Sequence, residues 1–162
     1  MKWRKKLNSL LEQELPGTHN LRDQLMGMIS DQDLAYKLPG ANPTLGELCE
    51  EMGYTQQVYI HAFKTFTQEW GYRDSQLEAP ISVASLNAWY KKLDAELVEA
   101  LSGLSEDDIH NKQIDRGHGF TPSPYVQFLI YHEAVLIFCA KASAYLKALE
   151  KPYPDEWKVG IG

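Results

Sequence analysis

The segment of residues 125–140 constrains the fold of this chain more than any other part of the sequence. All but three of its side chains are apolar, the exceptions being Gln127, His132 and Glu133. Two Xaa-Pro steps in residues 121–124 favour a helix start, and the Lys-Pro-Tyr-Pro run of residues 151–154 ends the pattern. A helix that is apolar on nearly all sides must be covered on nearly all sides. The sequence therefore predicts a long central helix packed among other elements.

Three earlier segments also carry apolar side chains at helical spacing. The first begins with four leucines: Leu7, Leu10, Leu11 and Leu15. Pro16-Gly17 interrupts it before it resumes at Leu21, so this helix is predicted to be kinked or split. The second begins at Thr44, which forms a capping-box pattern with Glu47, and the third covers residues 85–101. Because no segment alternates like a strand, we predict an all-α four-helix bundle that forms one domain over residues 1–162.

Composition limits the partners of the chain. A formal net charge of −6 argues against a nucleic-acid partner. No run of eighteen uncharged apolar residues occurs, and the basic first residues are not followed by an apolar core of signal-peptide length, so we expect no membrane partner. Cys49 and Cys139 are too few and too far apart for a disulfide framework. We therefore expect a cytoplasmic protein with two reduced, buried thiols.

The fourth predicted helix has more apolar surface than three neighbouring helices can cover. In a four-helix domain, a strip of this helix is left over once its neighbours are in place. A symmetric two-fold pairing is the commonest way to bury such a strip. The sequence therefore predicts a homodimer that forms through the fourth helix, over residues 125–140.

Three short motifs, in this order and spacing, carry a family resemblance. They are Thr-Leu-Gly-Glu-Leu at residues 44–48, His-Glu-Ala at residues 132–134 and Pro-x-Pro-x-x-Trp at residues 152–157. Together they resemble the DinB/YfiT-like superfamily of bacterial helical-bundle proteins, which includes metal-dependent thiol S-transferases. The resemblance implies an up-down-down-up bundle, often dimeric, in which three histidines hold a divalent metal ion.

The three metal positions that the resemblance implies fall here on Glu51, His132 and Leu136. Leucine cannot bind a metal ion. Zinc and nickel prefer imidazole or thiolate ligands, and magnesium or calcium would need more oxygen ligands than this set offers. We therefore predict a degenerate metal site and no cofactor, with zinc or nickel bound by His132 and Glu51 as the alternative.

Three functions follow from these residues. The first is a metal-free protein that binds a small ligand between the second and fourth predicted helices, or serves as a dimeric interaction module. The alternative is a divalent-metal-dependent thiol S-transferase or hydrolase that uses His132 and Glu51. The third is a metal-independent enzyme in which His132 and Glu51 act as acid and base, because a carboxylate partner raises a histidine pKa.

Other polar residues have simpler interpretations. Arg116-Gly117-His118-Gly119 forms a cationic loop before the fourth helix that could hold an anion, although surface loops of this composition are common. Cys49 lies near a helix N-terminus but on its apolar side, so burial predicts an unreactive thiol. His19 lies near a predicted turn and needs no special role.

Overall fold

The computed structural model of this protein describes residues 8–162. A π-helical turn, Leu10–Glu14, precedes the first α-helix. The α-helices are α1 (Asn20–Met28), α2 (Leu45–Thr65), α3 (Val83–Ser102), α4 (Glu106–Asn111), α5 (Pro124–Ala148) and α6 (Asp155–Gly160). A short 3-10 turn, Asp33–Ala35, lies between α1 and α2. Residues 8–162 contain no strand, only two isolated bridges, so the prediction of an all-α fold is confirmed.

Contacting residue pairs give the relative directions of the long helices. Cys49 and Gln56 of α2 contact Tyr90 and Asp94 of α3 in the same order, so α2 and α3 run parallel. Tyr59 and Phe63 of α2 contact Tyr131 and Phe128 of α5 in reverse order, so these two helices are antiparallel. The first helical segment, residues 10–28, runs parallel to α5, as the pairs Glu14–Tyr125 and Thr18–His132 show. It runs antiparallel to α3, as the pairs Asn8–Leu101 and Arg22–Asp94 show. The first segment, α2, α3 and α5 therefore follow the predicted up-down-down-up topology.

The first predicted helix is split at Pro16, as expected. The π-helical turn ends at Glu14, and Gly17 takes a backbone φ of 83° that an L side chain rarely adopts. Leu10 and Leu25, one on each side of the break, are fully buried in the same core. The predicted stripe also included Leu7, which lies outside the described residues.

The start of α2 confirms the predicted capping box. Thr44 Oγ1 accepts a hydrogen bond from the Glu47 backbone N–H at 3.1 Å, and the Thr44 N–H donates to Glu47 Oε2 at 2.8 Å. These two bonds satisfy backbone donors that a helix N-terminus leaves free. They fix the N-terminal end of α2, and therefore the position of Glu51 two turns later.

Residues 66–82 join the parallel helices α2 and α3 and pack against their outer face. The Gln57 side chain donates to Ser75 O at 2.7 Å and accepts from the Asp74 and Ser75 N–H groups, while Trp89 Nε1–H donates to Ser75 Oγ at 2.9 Å. This connection includes the loop of residues 70–80. It lies on the α2–α3 side of the bundle.

The central helix α5 begins at Pro124 and ends at Ala148, just before the Lys-Pro-Tyr-Pro run that was predicted to end it. Three large apolar side chains on it remain exposed: Val126, Leu129 and Ile137. By length and composition α5 could cross a membrane, although 44% of its most apolar window is buried inside the bundle. A core helix passes the same test, so the absence of a membrane partner stays a prediction.

Candidate functional site

A groove between α2 and α5 contains one of the predicted site residues, Glu51. Two adjoining depressions of about 160 and 350 Å³ share Leu48, Glu51 and Lys141. Their remaining lining residues come from α2, α5 and the chain before α2: Leu38, Asn42, Pro43, Met52, Thr55, Ala134, Ile137, Phe138, Ala144 and Tyr145. Residues 66–82 contribute none of this lining, so the loop between α2 and α3 does not cover the groove.

The groove combines an apolar floor with two opposite charges. Leu48, Met52 and Phe138 are almost fully buried beneath it. Glu51 and Lys141 are exposed, and neither forms an ion pair with another residue in the described range 8–162. Both charges are therefore available to a ligand that lies on the apolar floor.

His132, the second predicted site residue, lies in a different environment. It is half-buried, and its Nδ1 lies 3.3 Å from Thr18 Oγ1. The Thr18 hydroxyl already donates its proton to Glu14 O at 2.9 Å. It can therefore only accept from the histidine, which places a proton on His132 Nδ1. His132 faces the first helical segment, and the lining of the groove around Glu51 does not include it.

A buried polar network, which the sequence did not predict, joins four helical segments. Arg22 is fully buried and donates to Asp94 Oδ2 at 2.6 Å and to Gln56 Oε1 at 3.0 Å. Gln56 Nε2 donates to Asp94 Oδ1 at 2.9 Å. His19 lies between Asp94 and Tyr131, with Nδ1 3.3 Å from Asp94 Oδ1 and Nε2 2.6 Å from the Tyr131 hydroxyl.

Burial sets the protonation states in this network. Burial, together with the nearby Arg22 charge, lowers the pKa of His19 to about 4, so the imidazole is neutral at pH 7. Burial opposes ionisation of Asp94, but its hydrogen bond from Arg22 is decisive and lowers the pKa of that carboxyl. Because the carboxylate can only accept, His19 Nδ1 carries the proton and Nε2 accepts from the Tyr131 O–H. Burial raises the pKa of Tyr131, which keeps this hydroxyl protonated.

The order Asp94–His19–Tyr131 resembles an acid–base relay, but its position does not suit catalysis. Tyr131 is completely buried and does not line the groove. A relay must end on a group that a substrate can reach. The network therefore links α1, α2, α3 and α5 in the interior of the bundle.

The two cysteines are buried in the bundle, and the loop of residues 116–119 lies at its surface. Cys49 and Cys139 are free, buried thiols whose pKa burial raises to about 12, so both are unreactive, as the sequence predicted. In the loop, the Arg116 guanidinium turns inward to Gln68 and Gln127, whereas His118 is exposed at the tip. The Arg116 and His118 side chains therefore point to different surroundings.

Comparison with known proteins tests the resemblance at the level of the fold. No protein-family model and no curated protein sequence matches the chain. Among solved structures, the chain is similar to the crystal structure of a DinB-like protein, YjoA, from Bacillus subtilis, with a TM-score of 0.65. The match covers 82% of this chain and 87% of that chain, at 16% sequence identity. The fold is DinB-like.

This DinB-like fold carries the three positions that the resemblance assigns to a metal ion, but their side chains do not form one donor set. Glu51 faces Ala134, Ile137, Phe138 and Lys141 across the groove, and none of these is a carboxylate, imidazole or thiolate. Within residues 8–162, no group of three or more His, Cys, Asp or Glu side chains is placed to hold a metal ion. The residues present therefore do not fit zinc or nickel. Whether this chain binds a metal ion stays a prediction.

Proposed function

We propose that this DinB-like protein binds a small amphipathic molecule in the groove between α2 and α5 without a metal ion. The observation that carries this proposal is the pairing of an apolar floor with two free charges, Glu51 and Lys141. Ligand sites are mostly apolar clefts of about 300–1,000 Å³ with a few polar groups that orient the ligand. The larger depression, at about 350 Å³, falls at the small end of this range.

The two charges define the class of ligand. Lys141 attracts an anionic head group, and Glu51 attracts a cationic one, while Leu48, Met52 and Phe138 bury an apolar body. A molecule with an apolar core and one charged group, or with both charges at one end, matches this lining. A fully polar molecule would leave the floor exposed to water and gain little from binding.

An anionic fluorescent probe tests the proposal. We expect 1-anilinonaphthalene-8-sulfonate to bind saturably with a stoichiometry of one, because its rings match the floor and its sulfonate matches Lys141. Lys141→Glu should weaken this binding by about tenfold, as expected for losing one charge contact. The same variant should tighten binding of a cationic amphiphile such as dodecyltrimethylammonium.

A steric variant and its matched control complete the experiment. Ala134→Trp fills the groove and should abolish binding of the probe, whereas Ala95→Trp, at an exposed position of α3, should leave it unchanged. If Ala134→Trp binds the probe as the native chain does, the ligand does not occupy this groove.

The alternative function, a metal-dependent transferase or hydrolase, would give a different result. Protein purified without an affinity tag would then contain near-stoichiometric zinc or nickel, and His132→Ala would lose it. Our proposal predicts no bound metal and no change in probe affinity on addition of zinc, nickel or manganese. Leu136→His tests the three metal positions that the resemblance implies, Glu51, His132 and Leu136. This variant gains affinity for zinc or nickel only if a histidine at position 136 lies within reach of His132 and Glu51.

A second candidate function is that of a dimeric interaction module. Val126, Leu129 and Ile137 are exposed on α5 although they are large and apolar. Exposed positions 126, 133, 137, 140 and 144 follow spacings of three, four or seven residues, which places them on one face of the helix. We propose that a second copy of the chain covers this face. Because Ile137 also lines the groove, dimerisation would border the ligand site.

A further inference from the structure

Arg116 is held rigidly at the end of the bundle where α2 ends and α5 begins. Its Nη1 donates to Gln68 Oε1 and Gln127 Oε1, each at 2.7 Å, and lies 3.4 Å from the Tyr59 hydroxyl. Gln127 is fully buried and Gln68 almost so, at 7% exposure. The half-buried guanidinium is therefore fixed in place before any ligand arrives.

The charge of Arg116 has no acidic partner within residues 8–162. The groups that accept its hydrogen bonds are two amides and a phenol, all of them neutral. The neighbouring carboxylate, Asp115, accepts from the Gly117 N–H at 2.8 Å. All hydrogen bonds of the guanidinium in the described structure leave from Nη1, so Nη2 and Nε remain available to an acceptor.

Gln68 adds a second unsatisfied donor beside this charge. Its Nε2 is buried and has no hydrogen-bond partner among the described residues. A flipped amide would not remove the problem, because Oε1 accepts from both Arg116 Nη1 and Gln127 Nε2, the latter at 2.6 Å. A buried donor without a partner destabilises the folded chain.

Two exposed aromatic rings flank the guanidinium. The ring centres of Trp70 and Phe120 lie 5.3 and 5.8 Å from Arg116 Cζ, and the side chains are 57% and 51% exposed. They come from separate segments, one after α2 and one before α5. Exposed aromatic side chains beside a fixed cation provide a stacking surface for a flat ring next to a donor for its charge.

We propose that Arg116, Gln68, Trp70 and Phe120 form a second binding site, which takes a small aromatic carboxylate. The carboxylate accepts hydrogen bonds from the free donors of Arg116, which Gln68 holds in place, and the aromatic ring packs against Trp70 and Phe120. This site shares no residue with the groove between α2 and α5. It is therefore independent of the function proposed above.

Benzoate is the probe that tests this site, with binding followed by calorimetry and by NMR shifts of the Trp70 indole and residues 115–120. We expect saturable binding. Benzamide, which has the ring without the charge, and acetate, which has the charge without the ring, should each bind at least tenfold more weakly. Inorganic phosphate that binds as well as benzoate would show a simple anion site and overturn the role of the aromatic rings.

Substitution of two different arginines distinguishes benzoate binding at this site from a general effect of losing a positive charge. Arg116→Gln should weaken benzoate binding at least tenfold. Arg73→Gln is the matched control, because Arg73 also lies over an aromatic ring, that of Tyr54 at 4.3 Å, but it lacks the two glutamine partners. Equal effects of the two variants would contradict the proposal.

Aromatic variants test the site without disturbing the buried glutamines. Phe120→Ala and Trp70→Ala remove exposed rings, so both proteins should keep the native melting temperature and lose benzoate affinity about three- to tenfold. Unchanged affinity in both variants would overturn the proposal even if Arg116→Gln unfolds the chain. Ala134→Trp should bind benzoate normally, since it blocks only the groove.

Discussion

Arg22 is a charged residue in the interior of this bundle. Its guanidinium is completely buried, stacks on Tyr90 at 4.4 Å and pairs with Asp94. A buried ion pair adds little net stability over an apolar alternative, but removal of one partner leaves an uncompensated charge. The network therefore fixes the positions of the helices more than it adds to the free energy of unfolding.

Asp94→Ala should destabilise the protein by about 3 kcal/mol, because it leaves Arg22 buried without its main counter-ion. Asp23→Ala is the matched control. Asp23 also contacts Arg22, at 3.0 Å, but its side chain is 61% exposed and the loss should stay below about 1 kcal/mol. Chemical denaturation of both variants measures the difference. Equal losses would show that Asp94 is no more important to the buried Arg22 charge than the exposed Asp23 is.

Stability should fall as the pH is lowered from about 6.5 to 4. His19 has a pKa of about 4 in the folded protein and an ordinary pKa of 6.5 when unfolded, so only the unfolded chain takes up the proton in this range. Asp94, whose pKa is also lowered, acts in the same direction at still lower pH. Denaturation midpoints measured against pH give the slope.

His19→Gln should flatten this pH dependence, because glutamine can accept from Tyr131 O–H and does not titrate. His118→Gln replaces an exposed histidine and should leave the slope as in the native chain. If both variants keep the native slope, another group carries the pH dependence.

The sequence placed Glu51 and His132 on the correct helices. It could not reveal the buried polar network around Arg22. His19, Arg22, Gln56, Asp94 and Tyr131 come from four segments that are distant in sequence. Each of them alone resembles a surface or core residue of an ordinary helix. They have a common role only because four segments pack around one point, and no local sequence pattern predicts that packing.

At the scale of the elements, the contact between α2 and α3 depends on a missing side chain. A Cβ atom at Gly53 would lie 2.2 Å from Trp89 Cζ3, well inside contact distance. Trp89 is itself buried and held through its Nε1–H by Ser75. It has little freedom to move away, so the two parallel helices approach closely only because position 53 is glycine.

Gly53→Ala should therefore destabilise the protein by about 2 kcal/mol, since overpacking outweighs the gain of up to about 1 kcal/mol in helix propensity. Gly27→Ala in α1 is the control, because no atom lies within 4 Å of its Cβ position. That variant should be slightly more stable than the native chain. Thermal denaturation distinguishes the two, and a stabilising Gly53→Ala would refute the close contact.

The sequence predicted the starts and ends of helices where local chemistry determines them. The capping box at Thr44 and the break at Pro16 depend on local chemistry and were predicted correctly. The central helix α5 ends at Ala148, just before the Lys-Pro-Tyr-Pro run that was predicted to stop it. By contrast, the short helix α6 was not predicted, since it rests on the burial of Trp157 rather than on a periodic stripe.

At the scale of the whole molecule, the exposed apolar face of α5 bears on the oligomeric state. We expect the native chain to be a dimer in solution by light scattering. Ile137→Glu should give a monomer whose free energy of unfolding changes by less than about 0.5 kcal/mol, because this side chain is 56% exposed. Val159→Glu changes an equally apolar, 90% exposed residue on α6 and should remain dimeric. A monomeric native chain would refute the pairing.

The parallel arrangement of α2 and α3 sets a lower limit on the length of the chain between them. With 21 residues, α2 is about 31 Å long, and residues 66–82 must return over that distance before α3 can begin. An extended chain advances about 3.3 Å per residue, so roughly ten residues are the minimum for the return. A deletion that left fewer could not preserve this topology. The short way to join the two helices would then be a hairpin, with α3 reversed and Asp94 carried away from Arg22.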